Sequence, residues 1–144
     1  MDSRTIEFIV PAIPIAQPRP RATSIAGRTR VYTPTDHPIA AFKACVRLAA
    51  SCAFTGAPLT GPLRVDCTFV LPRTNAQRWK TRPMPRLPHT KKPDRDNLDK
   101  ACLDALTGLL WVDDCQVCAG EVSKWIAAGD EQPHVLVRVS EMQV

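Results

Sequence analysis

The segment KPDRDNLDKACLDALTGLLWVDDCQV, residues 92–117, decides the local fold and concentrates acidic side chains in a basic chain. Its apolar residues recur at the i, i+3, i+4, i+7 and i+8 positions of an amphipathic helix. They are Leu98, Ala101, Cys102, Ala105 and Leu106. Pro93 disfavours helical geometry in the residue before it, so we expect the helix to begin only after Asp94. Asp96 is the predicted N-cap with Asp99 completing a capping box, and Gly108 is placed to end the helix.

This segment holds more carboxylates than helix capping uses. Asp94 lies two residues before the predicted cap, where a second carboxylate adds repulsion unless a cation lies between the two. Mg²⁺ is the hard cation that such oxygen ligands suit, so Asp94 and Asp96 predict a metal site. Asp113 and Asp114 follow the apolar link LLWV, and spacing alone does not establish that they return to this site. In an extended pair, one carboxylate would face the site and the other would face away.

Lys100 lies four residues after Asp96, on the same side of the predicted helix. Two roles fit this position. The ammonium could neutralise charge on a phosphate held at a metal site. It could equally form a surface ion pair with Asp96, worth roughly a few tenths of a kcal/mol. The residues alone leave both roles open.

The remainder of the chain is basic. Lys and Arg number 19 against 14 Asp and Glu, which gives a net charge of +5. This favours an anionic partner such as nucleic acid, although mildly basic proteins are common. No acidic residue occurs between Asp66 and Asp94, whereas seven Lys and Arg residues surround Trp79 in the same interval. Acidic residues are therefore excluded from one long stretch of the chain.

Prolines throughout residues 72–93 argue against a helix or an inner strand there and predict a mobile basic loop. We expect this loop to follow a phosphate backbone, with Trp79 stacking on a base. The alternative is a solvated surface loop whose tryptophan covers the core. The predicted DNA-binding residues are Arg73, Arg78, Trp79, Lys80, Arg82, Arg86, Lys91 and Lys92, together with Arg19 and Arg21.

Periodicity predicts the other elements. Residues 6–10 and 65–69 alternate apolar and polar side chains as strands do, and residues 39–53 repeat apolar side chains at helical spacing behind Pro38. The stretches VYT, residues 31–33, and QVCAGEVSKW, residues 116–125, predict further short strands. A chain of 144 residues with 44% hydrophobic content suits one domain, residues 1–144, with a single core.

The six cysteines lie in apolar runs and are expected to stay reduced. Cys115 and Cys118 form a CxxC pair, but no second close pair stands at a zinc-site spacing, so zinc is not expected. No apolar run approaches the roughly eighteen residues that cross a bilayer, and the N-terminus lacks the pattern of a signal peptide. We therefore expect a soluble cytoplasmic protein without membrane contact.

Two motifs carry a family resemblance. PDRDNLDKACLDAL, residues 93–106, followed by DDCQV, residues 113–117, resembles the signature of the RusA family of Holliday junction resolvases of bacteria, phages and prophages. The stretches PIAQPRPRATS, residues 14–24, and RVYTP, residues 30–34, are similar to the opening of phage-type members. The resemblance spans most of the chain.

The resemblance implies an α+β homodimer in which a small mixed sheet packs against two main helices. It implies an endonuclease, dependent on Mg²⁺ with Mn²⁺ as a substitute, that resolves four-way DNA junctions by paired symmetric nicks in a bacterial or phage-infected cell. The family's essential acids fall on Asp94, Asp96 and Asp114, its basic residue on Lys100 and its companion acid on Asp113. The proline-rich loop is longer than in the shortest members, which leaves the detailed DNA contacts open.

Two rival functions share part of this pattern. A metal-dependent nuclease for other branched DNA, such as flaps, forks or phage packaging intermediates, would share every catalytic residue. A non-catalytic DNA-binding protein would share the basic loop but would gain nothing from acids that repel the same backbone. The sequence argues against the non-catalytic DNA-binding protein. It does not distinguish a junction resolvase from a nuclease for other branched DNA. It also leaves open whether Asp66 and Glu121 lie near the metal site.

Overall fold

The computed structural model describes residues 4–18, 21–32 and 37–144. In chain order its elements are β1 (Thr5–Val10), β2 (Arg21–Ile25), β3 (Arg28–Tyr32), α1 (Ile39–Ala53), β4 (Leu63–Leu71), β5 (Leu87–Pro88), α2 (Arg95–Leu106), β6 (Val117–Ala119), β7 (Val122–Ile126) and β8 (His134–Glu141). Neither helix in these ranges has the length and apolar content that a membrane crossing requires.

Six strands form one sheet in the order β1-β8-β4-β7-β5, and β6 also pairs with β4. The central strand β4 runs parallel to β6 and β7 and antiparallel to β8. The sheet is therefore mixed, and with α1 and α2 it confirms the predicted α+β class. The strands β2 and β3 form a separate hairpin that contains the first two residues of the predicted strand VYT; Thr33 lies outside the described residues.

The helices cover one face of the sheet. Alternating residues of β4 are buried against them, among them Val65, Cys67 and Phe69, and α1 contributes Phe42 and Val46 to the same core. Because side chains alternate between the two faces of a strand, the side chain of Asp66 leaves the sheet on the face opposite this core.

The helix predicted from the acidic segment is α2, and it buries the predicted apolar face. Its N-cap is Asp94, whose side chain makes no capping hydrogen bond. The prediction that Asp96 caps the helix was wrong, because the chain turns helical directly after Asp94 and the Leu98 amide donates to the Asp94 carbonyl at 3.1 Å. Gly108, with φ +88°, ends the helix as predicted.

The predicted strand over residues 116–125 is divided into β6 and β7 by Gly120. This glycine has φ +150°, and a Cβ atom built on it would lie 1.8 Å from the carbonyl oxygen of Val65. Only glycine allows the chain to pass β4 at this distance. The division places Glu121 next to Asp66, and the Cys67 amide donates to the Glu121 carbonyl at 2.9 Å.

Candidate active site

Four carboxylates and one guanidinium line a cavity of about 550 Å³ beside the first turn of α2. They are Asp66, Asp96, Asp99, Glu121 and Arg95. Asp96 and Asp99 are three residues apart in the first turns of α2 and so lie on one side of the helix. Asp66 comes from the central strand, and Glu121 comes from the break between β6 and β7. The fold therefore brings together acids that are distant in sequence.

Asp66 is fixed in place by two hydrogen bonds and an ion pair. Arg64 donates from Nε at 3.1 Å and lies 3.0 Å away through Nη2, and the Glu121 amide donates at 2.8 Å. Partial burial acts to raise the pKa of Asp66, but the bonds from Arg64 and from the Glu121 amide outweigh it, and the pKa lies below its ordinary value. Asp66 thus remains an anion that holds the Glu121 backbone at the cavity.

Asp99 is partly buried without a counter-ion. Burial raises its pKa, and the charge of Arg95 offsets the shift only in part. Among the described residues, no Lys or Arg lies within ion-pair distance of Asp99. A cation in the cavity would relieve the cost of burying this charge.

The predicted acids do not all reach this cavity. Asp96 lines it, whereas Asp94 is an exposed N-cap outside the lining. Asp113 and Asp114 lie at a 3₁₀ turn over Asp114–Gln116, where the Asp113 side chain accepts a hydrogen bond from the Cys115 amide at 3.1 Å.

The neighbouring Asp113 and Asp114 carboxyl groups influence each other's pKa. The Cys115 amide and then Asp114 lower the pKa of Asp113, and Asp113 raises the pKa of Asp114. The charge of Asp104 also raises the pKa of Asp114, so these two acids lie near each other. Asp104 is eight residues beyond Asp96, about 12 Å along the helix. Within one chain, Asp113 and Asp114 therefore lie toward the end of α2 that is opposite the cavity.

Lys100 is exposed on α2, and no ion pair joins it to Asp96 within the described ranges. The surface ion pair that was one of its two predicted roles does not form. Asp104 instead pairs with Lys43 at 3.8 Å. The Lys100 ammonium therefore remains accessible to an anion from solution.

The donor chemistry of the cavity suits a hard divalent cation. Its four carboxylates offer the oxygen ligands that Mg²⁺ and Mn²⁺ prefer, and Asp99 has no counter-ion among the described side chains. Across residues 4–18, 21–32 and 37–144, however, no three Asp, Glu, His or Cys side chains are grouped closely enough to hold an ion. The cavity of one chain thus supplies suitable oxygen donors, but these donors do not converge on one ion position.

Arg73 anchors the basic loop from the inside. It is 5% exposed, and its guanidinium donates to the carbonyl oxygens of Gln77 at 2.5 Å, Pro85 at 2.9 Å and Ala127 at 3.2 Å. A guanidinium engaged in this way is not accessible to a phosphate. The prediction that Arg73 contacts DNA therefore does not fit its position, and the residue has a structural role.

The rest of the loop is also held to the sheet, which differs from the predicted mobile loop. The short strand β5 pairs with β7. Arg86 forms a 2.6 Å ion pair with Glu131, and this bond lowers the pKa of Glu131 to about 2. The ammonium of Lys124 donates to the carbonyls of Lys91 at 2.5 Å and Pro93 at 2.7 Å. Several of the loop's own polar groups are thus used in fixing its conformation.

Trp79 is partly exposed and contacts two guanidinium groups. Arg82 lies 3.7 Å and Arg73 lies 4.7 Å from the ring centroid. A base that stacked on Trp79 would have to displace Arg82. The exposed cations of the loop are Arg78, Lys80, Arg82, Arg86, Lys91 and Lys92, and of these Arg86 is paired with Glu131. Arg19 lies outside the described residues, and the backbone of Arg21 belongs to β2.

Comparison with known proteins identifies the family of this chain. The family model described as Endodeoxyribonuclease RusA matches residues 11–140. A match over nearly the whole chain defines the class of protein as a nuclease, an enzyme that hydrolyses phosphodiester bonds. The chain belongs to the RusA endodeoxyribonuclease family, whose members act on branched DNA and generally depend on a divalent metal. The chain is also similar to the uncharacterized protein YqaN of Bacillus subtilis (strain 168), with 34% identity over 142 residues that cover 95% of this chain and 96% of the relative.

Some residues of the cavity were not predicted as site residues. Asp99 was assigned to helix capping, and Arg95 received no role, although both lie within the acidic motif. Asp66 and Glu121 were left open, and the structure places both at the cavity. The signal for Asp66 was a lone acid on the outward side of a strongly alternating strand.

Proposed function

We propose that this chain is a Mg²⁺-dependent, structure-specific endonuclease that resolves four-way DNA junctions by paired symmetric nicks. The observation that carries the proposal is the cavity at the first turn of α2, where Asp96 of the family motif is joined by three other carboxylates. Family membership supports action on branched DNA. The exposed cations of the basic loop supply the charge needed to hold a phosphate backbone.

Asp94, Asp96 and Asp114 are the proposed catalytic acids, with Asp113 as a further candidate ligand. Asp99 joins this set because its partly buried carboxylate lies at the cavity and forms no ion pair with a described residue. A bound Mg²⁺ would lower the pKa of a water molecule and neutralise charge on the scissile phosphate. The carboxylates would hold the ion and balance its positive charge, and without the ion they repel the DNA backbone.

The other residues position the backbone and the substrate. Asp66 holds the amide of Glu121, so that the Glu121 carboxylate stays at the cavity. Lys100 presents an exposed ammonium on the same helix, where it is proposed to contact the scissile phosphate. Lys91 and Lys92, shortly before Asp94 in the chain, are further exposed cations proposed to contact the DNA backbone.

A homodimer follows from the proposed reaction. Two nicks at symmetric positions require two active sites related by a two-fold axis, as in a closed dimer. In one chain, Asp104 lies about 12 Å along α2 from Asp96, and Asp114 lies near Asp104. The proposed role of Asp114 is therefore met if a second chain brings its own Asp114 to the cavity that contains Asp96.

The test is cleavage of a labelled four-way junction beside duplex, flap and fork substrates of equal length, each with Mg²⁺ and with EDTA. We expect paired symmetric nicks confined to the junction and dependent on Mg²⁺. Equal cutting of flaps or forks would contradict junction specificity and favour a nuclease for other branched DNA. Binding of all substrates without any cutting would contradict the proposed chemistry.

A further inference from the structure

A second cavity lies under the basic loop and has no role in the proposed chemistry. Its volume is about 290 Å³, near the lower end of the range for small-ligand sites, about 300–1,000 Å³. Leu87 and Ile126 contribute apolar wall, and Thr74, Gln77 and His89 contribute polar atoms. A cavity of this size with apolar walls and a few polar groups suits one small planar ring.

The Gln77 carboxamide is held in one orientation at this cavity. Its Oε1 accepts hydrogen bonds from the amide and the hydroxyl of Thr74, at 3.3 Å and 2.9 Å. Its Nε2 has no hydrogen-bond partner within the part of the chain that the structure describes. The residue thus presents a fixed donor group whose hydrogen-bonding capacity is unused.

His89 adds an unsatisfied polar atom. Its Nδ1 is buried and has no partner among the described residues. Burial, with the nearby charge of Lys124, lowers the pKa of His89, so the ring is neutral near pH 7. A neutral imidazole carries one donor and one acceptor nitrogen. Because an unpaired buried polar atom is costly, a ligand that bonded to it would gain stability.

A nucleobase matches this lining. It has apolar faces and an edge of donors and acceptors, and proteins read unstacked bases by burying the faces and bonding to the edge. The base is attached to a phosphate, and the exposed Lys91 lies on the lining of the cavity. The cavity is therefore suited to a base that has left its stack.

The two cavities are linked through β7 and through the residues before Asp94. Ser123 lines the acidic cavity and Ile126 lines the second. Three residues of a strand span about 10 Å, or about three nucleotide steps of a stacked strand at 3.4 Å each. Lys124, between them, bonds to the carbonyls of Lys91 and Pro93 and so fixes the second cavity relative to the acidic one.

We propose that this cavity receives one unstacked base of the cleaved strand, within about three nucleotides of the cut, and so determines the sequence preference of cleavage. The proposal rests on the proposed function, since it takes the acidic cavity as the site of cutting. It identifies Thr74, Gln77 and His89 as the groups that contact the edge of the base.

Ala76→Trp tests the proposal, because Ala76 is exposed on the lining and an indole there would fill the cavity without entering the core. The matched control is Asn75→Trp, the same addition at the neighbouring exposed residue outside the lining. Junctions are made with each of the four bases, or an abasic site, at every position within three nucleotides of the cut. Cleavage rates are then measured with Mg²⁺.

Wild type should discriminate at one position by about tenfold or more, the usual cost of one wrong base pair in a specific site. Ala76→Trp should cut all of these junctions at the rate that wild type shows on the abasic junction, and Asn75→Trp should keep the preference. Equal rates at every position for wild type, or a preference that survives in Ala76→Trp, would overturn the proposal.

A binding measurement in EDTA separates this proposal from the proposed function. The fluorescent base 2-aminopurine, placed at the discriminating position or at each position in turn, should brighten on binding wild type and not on binding Ala76→Trp. Brightening without any cleavage when Mg²⁺ is added would overturn the proposed function and support the cavity. Junction cleavage without brightening at any position would support the proposed function and overturn the proposed role of the second cavity.

Discussion

Asp99 combines a structural cost with a place in the acidic cavity. The spacing from Asp96 identifies Asp99 as part of the acidic motif. The capping pattern, however, predicts only a role in starting the helix. The position of α2 against β4 and β7 changes that interpretation, since it partly buries the carboxylate and raises its pKa. Burial of this kind depends on long-range packing and has no signature within the helix itself.

Asp99→Asn should slow cleavage and raise the Mg²⁺ concentration required, by about 10- to 100-fold, the range seen when groups around a metal are removed. It should also make the chain more stable at pH 7. The pKa of Asp99 is higher in the folded chain than in the unfolded one, so protonation of this carboxyl favours folding. That contribution is complete below the unfolded pKa of about 3.9. It is lost as the pH rises through the folded pKa. The advantage of the variant should therefore disappear toward pH 4. Urea unfolding from pH 4 to 8 and Mg²⁺ titration of cleavage measure both effects.

Asp130→Asn is the matched control, because Asp130 is an exposed acid outside the cavity. It should leave the Mg²⁺ requirement of cleavage unchanged. A variant at Asp99 with wild-type Mg²⁺ dependence would remove this residue from the proposed metal site. A lower stability at pH 7 would contradict the assigned cost of burial.

Asp66 and Glu121 illustrate what residue spacing does not reveal. They are 55 residues apart and meet because the Glu121 amide donates to Asp66. That bond depends on Gly120, which lets the chain pass close to Val65. The acids of the DRD motif can be identified from their spacing, whereas their partners from the sheet require the fold.

Elements with one buried face were predictable from periodicity. The strands β1 and β4 and the helices α1 and α2 all appear where alternation or helical spacing indicated them. The fixed conformation of the basic loop was not predictable, because the residue that anchors it is Arg73 and arginine is usually exposed to solvent. The partners of Arg73 are backbone carbonyls, which every residue carries and no sequence pattern marks.

Arg73→Ala should lower the free energy of unfolding by about 2–4 kcal/mol, because it removes several charge-assisted hydrogen bonds and leaves buried carbonyls unpaired. Arg78→Ala, at an exposed residue of the same loop, should change stability by less than about 0.5 kcal/mol. It should instead weaken junction binding and reduce the salt slope of binding by about one. Urea unfolding and binding at several salt concentrations measure the two quantities.

The opposite pattern would reassign these residues. If Arg73→Ala folds with wild-type stability and loses salt-dependent binding, its guanidinium contacts DNA in solution. If Arg78→Ala binds junctions with an unchanged salt slope, the exposed part of the loop does not follow the phosphate backbone.

At the scale of the whole molecule, the strand order is what the sequence least reveals. Strands β4 and β7 pair in parallel across about fifty residues of intervening chain, and local alternation does not specify such partners. The family resemblance predicted the mixed sheet and the two helices. It also predicted a homodimer, which stays a prediction.

Mixed dimers of Asp96→Asn and Asp114→Asn chains test whether two chains share an active site. Each homodimer should be inactive. If Asp96 of one chain works with Asp114 of the other, a mixed dimer contains one intact site and should nick one strand of the junction. If each site is built within one chain, the mixed dimer has no intact site and should cut nothing. Strand-specific labelling of the junction distinguishes the outcomes.

The most direct measurement of the central claim is single-turnover cleavage of a four-way junction by Asp96→Asn beside wild type, with binding measured on the same junction. Removing a group that stabilises the transition state typically costs about 10²- to 10³-fold in rate. We predict at least this loss with binding unchanged or tighter, because the substitution removes a charge that repels the backbone. Retained cleavage, or loss of junction binding by a folded variant, would contradict the account.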